Sequence, residues 1–248
     1  MKKIALVDGY SFVFRAYHSL PGLLNLQNVP VGAVYGFVNM LIKLLSALEV
    51  SHIAVVFDAG GKNFRHQLFE QYKANRPPCP ADLIPQFPLI RQAVDALNLV
   101  SIEKKGYEAD DIIATLATKA SQEDFEVLIV SSDKDLMQLV SEKVKMYDAM
   151  KNKLIGIAEV EEKFGLKPEM VLDILAITGD SADNIPGIKG IGPKTAVELL
   201  NQFGSLQNML ENICQIASDR KQKLVQEGKE KALLSRQLAS LDSQVELH

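Results

Sequence analysis

Residues 3–10 read KIALVDGY: a short apolar run ends in an acid, then a glycine, then an aromatic ring. A near-continuous apolar stretch of this length, stopped by a turn, is the pattern of a strand buried on both faces. HIAVVFD (52–58), LVSIE (99–103), EVLIVSSD (126–133) and VKMYD (144–148) also read as strands, and three of the five runs are nearly all apolar. Between these runs the spacing changes to the helical one. Val34, Val38, Leu41, Leu45 and Leu48 line one side of 31–49, and 83–97 and 108–120 read as further helices. Strand and helix in alternation predict an open parallel sheet covered by helices on both faces, an α/β architecture. From about Lys167 the strand pattern stops, and short helices separated by glycine turns replace it. The expected organisation is an α/β domain over 1–166 and a helical subdomain over 167–248, with no evident core signal in the last twenty residues.

With 248 residues, 47% of them hydrophobic and 23% charged, the chain can bury a sizeable core. No apolar run reaches the roughly 18 residues of a membrane span, and the start has the form of a strand rather than a signal peptide. Cys79 and Cys214 stand far apart in no ligand spacing, which points to a reducing, cytoplasmic setting. The net charge of −4 argues against a nucleic-acid binder only if the acids are evenly spread. They are not.

Asp8, Asp58 and Asp133 close three of the predicted strands; Asp135 follows, and Glu108, Asp110 and Asp111 open a helix in YEADDIIATLA. Ligands of open α/β sheets bind at the carboxyl ends of the strands, so these residues should converge on one edge. Asp180 and Asp183, in GDSADNIP, would add a second wall. Any one of these groups has an ordinary reading: a turn, a cap, or an acid beside the positive end of a helix. Five such groups together read as a site. Like charges gathered this closely repel unless neutralised, and oxygen-only ligands favour Mg²⁺ or Mn²⁺ over zinc. Two or more ions fit best, and two divalent cations would cancel the formal −4. Other α/β chemistries fail on particular residues. Asp8-Gly9-Tyr10 replaces a dinucleotide-binding glycine turn, Tyr10 stands where an aspartyl phosphatase needs a second Asp, and Pro193 interrupts any Walker-like reading of Lys194-Thr195.

Residues 62–80, KNFRHQLFEQYKANRPPCP, interleave Lys62, Arg65, Lys73 and Arg76 with Phe64, Phe69 and Tyr72. If the stretch is an amphipathic helix, Phe64 and Phe69 are core and His66 is surface. Lys73 and Arg76 would then share a face beside Tyr72, an arrangement suited to a phosphate backbone with an unpaired base. Arg15 offers another phosphate contact. In GIKGIGPKTAVELL, Gly190 and Gly192 permit a tight turn, Pro193 opens a helix, and the helix start with Lys189, Lys194 and Thr195 forms an anion site. Such a hairpin grips a duplex backbone without reading sequence.

The ordered set LVDGYSFVFRAYH, VVFDAGGKNFRHQLFEQYKANRPP, YEADDIIATLA, VSSDKDLMQLV and GDSADNIPGIKGIGPKTA resembles the 5′-nuclease (flap endonuclease) superfamily. Within it, the chain is most similar to the 5′→3′ exonuclease domains at the N-terminus of bacterial DNA polymerase I. The resemblance runs from residue 2 to about 240 and implies a PIN-like fold with a helix–three-turn–helix DNA-binding element. It implies that Asp58, Glu108, Asp110, Asp111 and Asp133 belong to or surround a first metal, that Asp135, Asp180 and Asp183 hold a second, and that Asp8 lies near both. It further implies that Lys73 and Arg76 steady the scissile phosphate, that Tyr72 stacks on the terminal base, and that Gly187–Thr195 grips the downstream duplex, in some members with K⁺. The implied protein is a monomeric, Mg²⁺-dependent 5′→3′ exonuclease and 5′-flap endonuclease. It would act on flaps, nicks, 5′ ends and RNA-primed strands, beside a polymerase, on the bacterial nucleoid. Two rivals stand: a catalytically silent junction-binding module, and an RNA-directed PIN-type nuclease.

Overall fold

The computed structural model describes residues 2–247. Six strands form one sheet: β1 (Lys2–Asp8), β2 (His52–Val56), β3 (Val100–Ile102), β4 (Phe125–Val130), β5 (Val144–Asp148) and β6 (Lys153–Ile155), in the order β3-β2-β1-β4-β5-β6. The first five are parallel. The sheet is nevertheless mixed, because β6 pairs antiparallel with β5, a departure from the all-parallel expectation. Three residues carry too little pattern to mark β6 in advance; the turn at 149–152 places it.

The two-residue period of β1 sorts its side chains. Ala5 and Val7 enter a core with Phe12, Phe37, Leu41, Phe57 and Ile90, while Leu6 enters another with Val56, Ile112, Ile129 and Met146. The first core is closed by α1 (Gly9–Ser19), α2 (Gly32–Ala47) and α4 (Gln86–Ala96). The second is closed by α5 (Ala109–Gln122) and by helices from the chain's C-terminal third. Each face buries more than ten side chains, at roughly 1.5–3 kcal/mol for a fully buried large aliphatic or aromatic one, so the sheet edge that carries the acids rests on a rigid base.

After α6 (Ile157–Phe164) come α7 (Val171–Thr178), α8 (Pro193–Phe203), α9 (Leu206–Glu211) and α10 (Asp219–Ala239). They enclose a third core built on Ile174, Ile188, Leu199, Leu200, Phe203 and Val225. The last residues are not the coreless tail that their composition suggests. Leu238, Ala239 and Val245 are buried, and Leu241 and Leu247 pack partly against the second core. Isolated apolar residues in an irregular segment show no period, so the sequence gives no warning of this.

The stretch 62–80 also departs from expectation. Only α3 (Phe64–Leu68) is helical, opened by Asn63, whose side chain accepts a hydrogen bond from the Arg65 amide. Turns follow, with Lys73 at φ 57°. Tyr72, Lys73 and Arg76 are therefore placed by a turn and not along a helix. No helix among the described residues is long and apolar enough to cross a membrane.

A candidate active site of carboxylates

β1 lies between β2 and β4, so the chain turns opposite ways out of the two central strands, and the crevice forms at their carboxyl ends. Asp8 ends β1 there and caps α1, its Oδ1 accepting from the Ser11 amide at 3.0 Å. Across the crevice the Ser131 hydroxyl donates to Asp8 Oδ2 at 2.8 Å and accepts from the Asp133 amide at 3.1 Å. Ser131 thus ties the ends of the two central strands together. In the sequence it is one more small residue after a strand. Asp58 follows β2 and accepts from the Ala109 amide at 2.8 Å, which docks the start of α5 onto the same edge. Asp8, Asp58, Glu108, Asp110 and Asp133, with Lys73, Arg76, Tyr10, Ser11 and Phe14, line one cavity of about 400 Å³. Asp135 lies beside Asp133, its amide donating to Asp133 Oδ1 at 2.9 Å.

The electrostatics divide these acids. Burial pushes Asp8 up to about 6, opposed by its hydrogen bonds and aided by Asp133 and Asp58. Burial, then repulsion from Asp133, raises Asp135 to about 7. Asp110 is raised well above the usual carboxylate range by burial and by Asp133 and Asp8, and Asp58 is raised mainly by burial. Glu108 behaves oppositely. Its Oε1 accepts from Lys73 Nζ at 2.6 Å and Asn63 Nδ2 at 2.8 Å, and its Oε2 from the Tyr72 hydroxyl at 3.1 Å. Burial alone would raise it, yet Lys73 and Arg65 hold it below the ordinary value. Asp183 meets the Arg76 guanidinium and lies 3.7 Å from Lys73 Nζ, and Asp180 meets Lys134 at 2.6 Å. Burial works against the Lys73 ammonium, but Glu108 and Asp183 outweigh it and keep it protonated.

Two expected residues are placed otherwise than the sequence implies. Asp111 is fully buried, both oxygens taken by Arg65 at 2.7 Å, so it is not available to an ion. It lies one residue beyond Asp110, on the buried face of α5. Tyr72 is 3% exposed with its hydroxyl on Glu108, so its ring is not offered to a base. Phe14, 37% exposed on the cavity wall, is a more exposed ring than Tyr10 beside it. Arg15 lies one residue further along α1, lining a neighbouring cleft with His18 and Lys151.

Among the described residues, no three acids already stand in a ligand-like cluster. The cations of the chain occupy Glu108, Asp180 and Asp183 instead. The donor set still fits a hard divalent ion. It is all oxygen, several of its members resist ionisation, and the Oδ1 of Asp135 is buried without a hydrogen-bond partner.

The hairpin is tightly built. Gly179 (φ 70°) and Gly187 (φ 58°) touch backbone to backbone: a Cβ on Gly187 would lie 2.4 Å from the Gly179 nitrogen. The Ile188 amide donates to the Ile177 carbonyl at 2.7 Å. Lys189, Gly190, Gly192 and Lys194 are exposed, and Thr195 is half-buried at the start of α8.

Two family models cover the chain. One, "5′-3′ exonuclease, N-terminal resolvase-like domain", matches residues 3–165, and the other, "5′-3′ exonuclease, C-terminal SAM fold", matches residues 166–248. A DNA polymerase I of Rhizobium leguminosarum is 50% identical over all of this chain, which spans 25% of that protein's length. A 5′-3′ exonuclease of Aquifex aeolicus is 43% identical over 86% of this chain and 73% of its own. In fold, the chain matches the bacteriophage T5 flap endonuclease, solved with DNA and metal ions, at a TM-score of 0.82 and 21% identity, covering 98% of this chain and 90% of that one. The catalytic core of Rad2 in complex with DNA substrate matches at 0.59 and 20% identity, covering 95% and 71%.

Proposed function

Since this chain belongs to the 5′-3′ exonuclease family, whose two domains together span it, we propose that it is a Mg²⁺-dependent, structure-selective 5′-nuclease. It hydrolyses DNA phosphodiesters near a 5′ end or at a 5′ flap and leaves 5′-phosphate and 3′-hydroxyl. The observation that carries this reading is the cavity at the β1/β4 crevice in which Asp8, Asp58, Asp110 and Asp133 have no cation of the chain within 4 Å among the described residues, rimmed by Lys73 and Arg76. A pure junction binder gains nothing from negative charge facing phosphate, and the duplex-gripping form of the hairpin disfavours an RNA-directed nuclease.

Asp8, Asp58, Asp110 and Asp133 would hold one ion, with Asp135, Asp180 and Asp183 serving a second; Mn²⁺ could substitute, and K⁺ suits the hairpin carbonyls. Such ions supply positive charge at the scissile phosphate and acidify water. Lys73 bridges Glu108 and Asp183 and can exchange either partner for a phosphate oxygen without leaving the cavity, and Arg76 can do the same from Asp183. Both cations then stabilise the charge that develops on the leaving oxygen. Phe14 offers a stacking surface to an unpaired base, and Arg15 a phosphate contact beyond it. Lys189, Lys194, Thr195 and the exposed amides at the start of α8 hold the duplex backbone. Substrates would include flaps, nicks and RNA-primed strands on the bacterial nucleoid. The protein would act as a monomer, with a polymerase domain or a polymerase in trans.

The decisive assay offers 5′-labelled flap, nicked duplex and single strand with Mg²⁺ or with EDTA. Cleavage at the flap junction, abolished by EDTA, is the expected result. Binding without cleavage in any divalent metal would return the chain to the junction-binder reading.

A further inference from the structure

Arg65 is 1% exposed, carries a permanent charge, and touches no surface where DNA could reach it. Four of its five N–H donors are engaged. Nη1 and Nη2 each donate to an oxygen of Asp111 at 2.7 Å, Nε donates to the Leu238 carbonyl at 2.8 Å, and Nη2 also donates to the Ser240 carbonyl at 2.7 Å. Asp111 completes the arrangement, accepting from the Glu108 amide at 3.1 Å and the Asp242 amide at 2.9 Å. Thr115 on α5 donates to the Asp242 carbonyl and accepts from the Val245 amide, both at 3.1 Å. The end of α10 and the residues beyond it are thereby stitched to α3 and α5. Arg65 Nη1 also lies 3.6 Å from Glu108 Oε2, and Glu108 holds Lys73.

The other turns of α10 carry the hairpin. Ser235 accepts from the Gly187 amide at 2.9 Å, and Gly228 is so close to Ile188 that a Cβ there would stand 2.7 Å from its Cγ2. One helix therefore backs the duplex-gripping hairpin along its length and ends on the carboxylate wall. A buried ion pair is seldom more stabilising than apolar packing of the same shape, and in some proteins its role is to fix registry.

We propose that Arg65 is a positioning residue. With Asp111 it sets the register between α10, which bears the hairpin, and the start of α5, which bears Glu108, so that a duplex held at the hairpin presents one phosphodiester to the cavity. This rests on the nuclease reading for its consequence, though not for its geometry.

Two variants test it: Arg65→Lys, which keeps the charge and loses the fork, and the double variant Arg65→Met/Asp111→Leu, which keeps apolar packing without any charge. Amide hydrogen exchange of the free protein is read first. Both variants should speed exchange about tenfold at 107–112 and 239–245 together, with little change at 187–195. In EDTA, adding flap duplex should slow exchange at 107–112 in the wild type and leave that segment unchanged in the variants. Duplex affinity should stay within about twofold, while the Mg²⁺-dependent rate falls at least tenfold and the cut spreads over neighbouring positions. Variants that exchange like the wild type, or that cut at one position at the wild-type rate, would overturn the assignment. A fall in duplex affinity that accounts for the whole rate loss would do so as well. A wild-type protein that neither binds nor cuts DNA would sink the nuclease reading instead, and the free-protein exchange would still decide the clamp.

Discussion

Glu108, Asp180 and Asp183 each have a cation of the chain against them, whereas Asp8, Asp58, Asp110, Asp133 and Asp135 have none within 4 Å among the described residues. The first set lies where the turn at 70–76, Lys134 and the loop after α7 approach the cavity. The second lies on the strand ends and the first turn of α5. In the first set the fold supplies its own counter-charge, and in the second it holds Asp8, Asp58, Asp110 and Asp135 in places that oppose their ionisation. A chain selected only for stability would have neutralised both. On the proposed function, the second set would meet an external cation directly, while Asp180 and Asp183 of the first set would do so as their own cations pass to a phosphate.

The largest effect that bears on this contrast is Asp110→Asn. Cleavage should fall on the order of 10³-fold or more, flap binding should hold or tighten, and at alkaline pH, where the carboxyl is driven to ionise, the metal-free protein should melt higher because one repulsive charge is gone. A lower melting temperature would break the comparison.

Next comes pH. Asp8 and Asp135 have folded-state pKa values, about 6 and about 7, above the ordinary carboxylate value. They favour the folded state fully below about pH 4, and that contribution disappears as pH rises through 6 and 7. Chelated protein should therefore lose on the order of a few kcal/mol between pH 4 and pH 8, and Mg²⁺ should restore stability most above pH 7. Thermal melts with and without Mg²⁺ check this, and a Mg²⁺ effect equal at pH 5 and pH 8 would contradict it.

Glu108→Gln belongs to the compensated set and should do the opposite of Asp110→Asn, destabilising the metal-free protein by about 1–2 kcal/mol as Lys73, Asn63 and Tyr72 lose a charged partner. Equal signs for the two substitutions would erase the distinction. The smallest effect is Lys194→Ala at the hairpin. Affinity for duplex should drop a few-fold and the salt slope should shrink by about 0.9, the value of one phosphate contact; a salt titration of binding reads both.

The strand ends were legible because parallel strands are written as apolar runs, and an acid at the end of such a run has nowhere else to go than the crevice. The helix after Glu108 was legible for the same reason. What escaped was whatever depends on partners far along the chain. Arg65 looked like one of four cations in a basic stretch, and nothing in its neighbourhood announces carbonyls at 238 and 240. Asp111 reads as a ligand until its face of α5 is seen to point inward. Lys73 and Arg76 share a face beside Tyr72 only if the stretch is helical, and the left-handed turn at Lys73 removes that face. The closing segment has buried residues but no period.

The place of β1 in the sheet has a consequence in time. Its inner neighbour β4 begins at Phe125, and the Asp8–Ser131 hydrogen bond spans 123 residues. At ribosomal speeds of about 5–20 residues per second, β1 waits roughly 6–25 s for that partner, and pairing across such a span is intrinsically slow. The first acids of the sheet edge are translated early and joined late, so a half-made chain on the ribosome carries Asp8, Asp58, Glu108 and Asp110 without carrying the site.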